Sequence, residues 1–186
     1  RVFLESKNKK EGLGKAYTLG FYWALSKNYQ YIFEMDADLS HDPNDLVRMY
    51  KEIDSSNCDV IVGSRYINGI NVVNWPLSRI ILSYLASIYS RVITGLPVMD
   101  ATSGFVGYKR EVLKKINLNS ILFNGYAFQI ELKFKAYKNN FKILEIPIIF
   151  RDRIYGESKM NGDIILEAIF GLIKLKIYSF FNDLNK

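Results

Sequence analysis

A single cysteine, Cys58, in 186 residues leaves no partner for an internal disulfide and too few thiolates for a cysteine-based zinc site. Its expected role is a small buried hydrophobe, in keeping with a reducing compartment. The one histidine, His41, stands beside a helix cap, where a structural or supporting role is expected rather than that of a catalytic base. Uninterrupted apolar runs fall short of the ~18 to 20 residues of a membrane-spanning helix. Internal repeats, low-complexity tracts and linkers are absent too. There is no signal-peptide pattern, and the chain opens on Arg1 with a strand-like Arg1-Val2-Phe3-Leu4. It therefore reads as a fragment of something longer.

What is present is apolar and aromatic. With 49% hydrophobic residues, 12 Phe and 13 Tyr, the chain can bury a sizeable core as one ordered domain. A net charge of +6 points to an anionic partner, and nucleic acid, an anionic membrane surface and a phosphorylated substrate all satisfy that sign. Nucleic acid is not expected, because no clustered basic helix or exposed aromatic platform accompanies the charge.

Along the chain, Ser6–Gly14 reads as a polar loop and Lys15–Ser26 as a helix with Leu19, Tyr22 and Trp23 on one side. Tyr31–Met35 is a nearly continuous apolar run, typical of a strand covered on both faces. His41-Asp42-Pro43 caps a helix over Asn44–Ser55, and Asp59–Gly63 is another buried strand. This alternation predicts a mainly parallel α/β sheet with crossover helices. Beyond it come a long apolar helix over residues 77–98, the small-residue turn Asp100–Phe105, and a short strand, Val106–Tyr108, leading into a helix start. An amphipathic helix over Tyr126–Tyr137 follows, and then a strand over Ile143–Phe150 that Pro147 confines to an edge.

The segment YIFEMDADLSHDP leaves its strand into three acids. In a parallel sheet, ligands bind beyond the carboxyl ends of the strands. Side chains two apart on an extended segment share a face, so Asp36 and Asp38 are expected to converge there. Two converging carboxylates repel unless a cation lies between them, and a hard divalent ion, Mg²⁺ or Mn²⁺, meets that need. The plainer alternative is that the acids only end a strand and cap the next helix, as Asp42 is expected to do. The pair by itself does not decide between these.

Cations follow at matching places. Arg65 closes the next strand, so it emerges at the same edge. Arg79 sits in an otherwise apolar helix, where a bare guanidinium requires an anionic partner or a snorkelling path to water. Arg151–Lys159 gathers further cations on a Gly-containing loop that has a plain reading as solvated surface. Acids for a metal beside cations for phosphates describe a diphosphate site.

The segments Leu13–Tyr17, Asp36–His41, Gly63–Tyr66, Ser103–Phe105, Gly125–Gln129 and Asp152–Lys159 resemble, in order and spacing, those of the dolichol-phosphate (polyprenyl-phosphate) mannosyltransferases of glycosyltransferase family 2. The resemblance covers nearly the whole chain, and the Asp-Arg-x-Tyr-Gly-Glu-Ser-Lys segment is its most specific part. It implies a GT-A fold lacking an N-terminal part that grips the nucleotide base. It also implies a nucleotide-sugar donor, typically GDP-mannose, a Mg²⁺ or Mn²⁺ ion, and a polyprenyl phosphate acceptor at the cytoplasmic membrane face. By motif position, Asp36 and Asp38 hold the metal and donor diphosphate, and Ser40 stands where many relatives carry Gln. Arg65, Arg79 and Ser83 bind the acceptor phosphate, with Arg153 and Lys159 helping to neutralise phosphates. Asp38, Arg65 and Arg79 are the catalytic candidates.

The expected organisation is a GT-A domain over residues 1–163 and an amphipathic, membrane-proximal helix over 164–186. That helix and the segment around Trp75–Thr94 are interrupted by charges yet apolar enough to lie peripherally in a membrane interface. Two other readings stay open: a sister transferase using UDP-glucose or another nucleotide sugar, and a catalytically silent module that binds membrane or a partner.

Overall fold

The computed structural model describes residues 2–6, 11–125, 127–152 and 162–181. Four strands form the main sheet: β1 (Tyr31–Glu34), β2 (Val60–Ser64), β4 (Val106–Lys109) and β5 (Ile143–Pro147), in the order β1-β4-β2-β5. A ribbon of β3 (Val72–Val73) and β6 (Phe150–Arg151) stands apart from it. Helices α1 (Leu13–Ser26), α2 (Pro43–Ser55), α3 (Leu77–Thr94), α4 (Arg110–Lys115), α5 (Ala127–Lys138) and α6 (Gly162–Phe181) pack around these strands.

The apolar run of β2 is buried at all five positions because both sheet faces are covered. Val60 and Val62 face the larger core with Phe21, Tyr108, Phe128 and Leu132, whereas Ile61 faces a smaller one with Met49, Ile53, Phe105 and the buried Cys58. The parallel pattern holds for β1, β2 and β5, which run in one direction. β4 lies between β1 and β2 and runs the other way, with Glu34 and Val62 both opposite Val106. Its Gly107 is opposite Phe33, whose ring lies where a Cβ would project. Any larger residue in this central strand would displace the ring.

Direction determines what reaches the ligand edge. The carboxyl ends of β1, β2 and β5 deliver Asp36, Arg65 and the 148–152 segment to one side of the sheet. Because β4 is reversed, its amino end brings the Asp100–Phe105 turn to that same side.

α2 starts as its sequence predicts, with Pro43 in the first turn and the Asp42 carboxylate accepting the Asn44 N–H at 2.9 Å. The other two helices with an expected facing differ. In α1 the buried residues are Gly14, Phe21 and Ala24, while Tyr22 is exposed, so the expected Leu19, Tyr22 and Trp23 face is displaced around the axis. The aromatic partners Tyr108 and Phe128 select Phe21 instead. α5 is not amphipathic: every position from Ala127 to Ala136 is buried. Its charged residues Glu131, Lys133 and Lys135 face protein partners. The Glu131 carboxylate accepts the Leu122 and Phe123 N–H groups and pairs with Lys135 at 3.1 Å.

The C-terminal helix α6 places Leu172 and Leu175 in the larger core, and Gly171 leaves room for the Phe123 ring. Residues 2–6 form no strand, contrary to the strand-like reading of the first residues, and Phe3 rests on Trp23 with ring centroids 5.0 Å apart. Of the loop expected over Ser6–Gly14, residues 7–10 lie outside the described set. Among the described residues no helix is long and apolar enough to cross a membrane.

Candidate active site

Beyond β1 the chain turns rather than continuing extended, so the acids are presented by a loop and not by strand alternation. Leu39 has φ 67°, a left-handed conformation that disfavours a bulky side chain. The turn is held by Asp38, whose Oδ1 accepts both the Ser40 N–H at 3.1 Å and the Ser40 hydroxyl at 2.5 Å. Ser40 is thus buried and orients Asp38, which is how a short hydroxyl residue serves at that position.

Asp36, with 42% of its side chain exposed, accepts the Tyr17 hydroxyl at 3.3 Å and faces His41 Nε2 at 3.8 Å. Burial first, and then the charge of Asp36, push the Tyr17 phenol well above its ordinary range, so it stays a donor. The His41 ring is wedged between Phe105 and Phe150 at 4.8 and 5.1 Å, and among the described residues neither of its buried nitrogens has a hydrogen-bond partner. Gly104 lies against the same carboxylate, since a Cβ there would stand 3.9 Å from Asp36 Oδ2.

A divalent cation fits this loop. The donors are carboxylate oxygens with no thiolate, suited to a hard ion. Asp36 is open to solvent beside an imidazole that has no hydrogen-bond partner among the described residues. Among the described residues no group of three or more His, Cys, Asp and Glu side chains is arranged to hold a metal, so the pair would rely on water and substrate oxygens for the rest of the shell.

The arginines reach the same edge. Arg65 is buried, and its backbone N–H, Nε and Nη2 donate to the Asp100 carboxylate at 3.0, 2.7 and 2.7 Å, with a further bond from Nη2 to Thr102. Burial would lower the guanidinium's pKa, but Asp100 holds it above the ordinary value, and Asp36 is among the charges that act on it. Asp100 is positioned in turn by Glu145, which accepts the Met99 and Asp100 N–H groups at 2.6 and 2.9 Å. Beneath this turn the buried Lys133 ammonium donates to the Ala101 and Ser103 carbonyls at 3.2 and 2.7 Å. Burial pushes Lys133 down and its buried neighbour Glu34 up, each resisted by the other's charge.

Arg79 finds the anionic partner its apolar helix requires: Nη1 donates to Asp152 Oδ1 at 2.8 Å, and the guanidinium stacks 4.1 Å from the centre of the Trp75 ring. Ser83, one turn further along α3, accepts the Tyr66 hydroxyl at 2.8 Å. The two halves are joined by the ribbon, in which Arg151 N–H donates to the Ser40 carbonyl and Asp152 N–H to the Val73 carbonyl. Arg153 and Lys159 lie outside the described residues.

Asp36, Asp38, Arg65, Arg79 and Ser83 are therefore presented on connected elements. Sequence reasoning missed Tyr17, Trp75, Asp100, Lys133 and Asp152. Asp100 stands in the small-residue turn already marked as ligand-facing, but nothing local ties it to Arg65, 35 positions earlier.

Residues 1–117 match the model of glycosyl transferase family 2. The chain is 45% identical over 170 residues to the polyprenol monophosphomannose synthase of Mycolicibacterium smegmatis, covering 91% of this chain and 64% of that protein. It is 39% identical over 173 residues to the undecaprenyl-phosphate mannosyltransferase of Micrococcus luteus, covering 93% and 70%. The chain thus spans about two thirds of the length of these relatives. Glucosyl-3-phosphoglycerate synthase from Mycobacterium tuberculosis, solved with Mn²⁺, uridine diphosphate and phosphoglyceric acid, superposes with a TM-score of 0.59 at 13% identity, covering 91% of this chain and 54% of that one. The same enzyme solved with Mg²⁺ and uridine diphosphate gives 0.57 at 14%, with coverage of 91% and 54%. At that identity the likeness is one of fold, and it is the GT-A fold that the motifs implied. With its family-model match and its close similarity to two polyprenyl-phosphate mannosyltransferases, this chain belongs to glycosyl transferase family 2.

Proposed function

We propose that this chain carries most of the catalytic domain of an inverting glycosyltransferase that moves mannose from GDP-mannose onto a polyprenyl or dolichyl phosphate at the cytoplasmic membrane face. The observation that carries this reading is that the acid loop after β1, Arg65 after β2 and Arg79 on α3 are tied together at one side of the sheet, through the Arg151 N–H on the Ser40 carbonyl and the Asp152 carboxylate on Arg79. The 45% and 39% identical relatives, both named for mannosyl transfer to polyprenol, support the acceptor class.

A phosphate monoester, with a second pKa near ~6, is already largely anionic at neutral pH, so the acceptor needs no strong general base. Its oxygen attacks the sugar's anomeric carbon in line, the bond to the nucleoside diphosphate breaks, and configuration inverts. Asp36 and Asp38 would hold Mg²⁺ or Mn²⁺, which when bound neutralises the leaving diphosphate. Arg65 and Arg79 hold the acceptor phosphate, Ser83 adds a hydroxyl, and Arg153 and Lys159 add positive charge near the phosphates. Tyr17 and Ser40 orient the acid pair, and Asp100 fixes Arg65, so the chain contributes positioning and charge rather than proton transfer.

Exposed apolar residues on α3 (Leu77, Ile81, Leu85) and α6 (Phe170, Ile177, Phe181) support peripheral attachment from which lipid reaches Arg79. The test is calorimetric titration of the intact protein with GDP-mannose and Mn²⁺. Binding that disappears in Asp38→Ala is expected; equal binding by both proteins would favour the silent module.

A further inference from the structure

Trp75 follows β3 on a short turn, between Asn74 at φ 64° and Pro76 at the start of α3. Two cations lie against its ring, with the Arg79 and Arg65 guanidinium carbons 4.1 and 5.5 Å from the centroid. The Phe150 ring meets it edge-on at 5.2 Å. Yet the indole Nε1–H is buried with no hydrogen-bond partner among the described residues. Buried tryptophan donors ordinarily find an acceptor, and an orphan of this kind calls for an explanation.

The surroundings indicate what that acceptor is. The nearby carboxylates are already engaged, Asp100 by three bonds from Arg65 and Asp152 by Arg79. With two guanidiniums on the indole, an incoming acceptor should be anionic. A phosphate monoester has oxygens enough to take bonds from several donors at once. Arg79 is the more adaptable arginine: one hydrogen bond to a part-exposed carboxylate holds it, against the bidentate buried grip on Arg65.

We propose that Trp75 is a phosphate-binding residue of the acceptor site: its ring holds Arg79 in place, and its Nε1–H donates to an oxygen of the acceptor's phosphate monoester. The inference rests on the reading that Arg65 and Arg79 bind the acceptor phosphate.

The test uses the intact protein with ¹⁵N-labelled tryptophan and geranyl phosphate, a soluble isoprenyl monophosphate. The indole resonance missing from Trp75→Phe identifies Trp75. It is expected to move downfield and saturate with geranyl phosphate, and to stay unmoved by GDP with Mn²⁺. In transfer assays, Trp75→Phe, which keeps an aromatic ring but loses the N–H, should raise the acceptor KM roughly tenfold with kcat nearly unchanged. Trp75→Leu, which also removes the stacking surface, should raise it further. If Arg79→Gln raises the acceptor KM while Trp75→Phe does not and the resonance stays still, Trp75 only packs, and the inference falls while the acceptor site stands. A resonance that moves with GDP but not with geranyl phosphate assigns the N–H to the donor and overturns the proposal. If Arg79→Gln leaves the acceptor KM unchanged, the acceptor-site reading itself falls and takes this one with it.

Discussion

Asp38 closes a turn and, on the function proposed above, also serves the donor diphosphate with its charge. Its Oδ1 accepts the Ser40 N–H and hydroxyl, and the two roles have different readouts. Asp38→Ala should reduce sugar transfer at least about 100-fold, with only about 1 kcal/mol of folding stability lost with the turn's hydrogen bonds. Paired activity assays and thermal melts check this. Asp100 makes the opposite case. Burial alone would raise its pKa, but the charge and hydrogen bonds of Arg65 hold it below the ordinary carboxylate value. A depressed folded pKa means its stabilisation is full above the ordinary carboxylate range and is lost as pH falls from that range through the lower folded value. Asp100→Ala strands a buried guanidinium and should cost about 3–5 kcal/mol near neutral pH. The penalty should shrink in urea melts repeated at progressively lower pH. At this scale the sequence was legible where an interaction is local, as in the Asp42 cap. It marked the segments that hold Asp100 and Asp152 but not their pairing with Arg65 and Arg79 across long separations.

Elements with covered strands and local caps were legible. The apolar run of β2, the cap of α2 and the edge position of β5 all follow from residues within a few positions. The reversed β4 was not, because strand direction depends on partners far along the chain, and a four-residue strand fits either direction. α5 misled for another reason. Its alternation of Lys and Glu with apolar residues mimics a solvated face, yet those charges are satisfied by backbone groups of neighbouring turns. Glu131→Ala should therefore behave as a core mutation, freeing the Leu122 and Phe123 N–H groups and Lys135, at about 3–5 kcal/mol by chemical denaturation. At Gly171 in α6, alanine gains about 1 kcal/mol in helix propensity. It also runs into the buried Phe123 ring, an overpacking cost of about 1–3 kcal/mol. Net destabilisation is expected, with α6 amides exchanging faster with solvent.

For the whole molecule, charge and exposed apolar area tell one story. A chain of net charge +6 shows Leu85 and Val92 on α3, and Phe180 and Phe181 on α6, to solvent. Such a surface should bind vesicles containing anionic lipid several-fold better than neutral ones, and less well as salt rises. Leu85→Asp together with Phe181→Asp should reduce binding in co-sedimentation, and retention of full binding would place the membrane contact elsewhere. The most direct measurement of the central claim is label transfer by the intact protein from a panel of nucleotide sugars to a short polyprenyl phosphate with Mg²⁺ or Mn²⁺. Label is expected to enter lipid from GDP-mannose, to be lost in Asp38→Ala and to be greatly reduced in Arg79→Gln. Transfer that persists unchanged in both variants, or lipid that stays unlabelled with every donor offered, would contradict it.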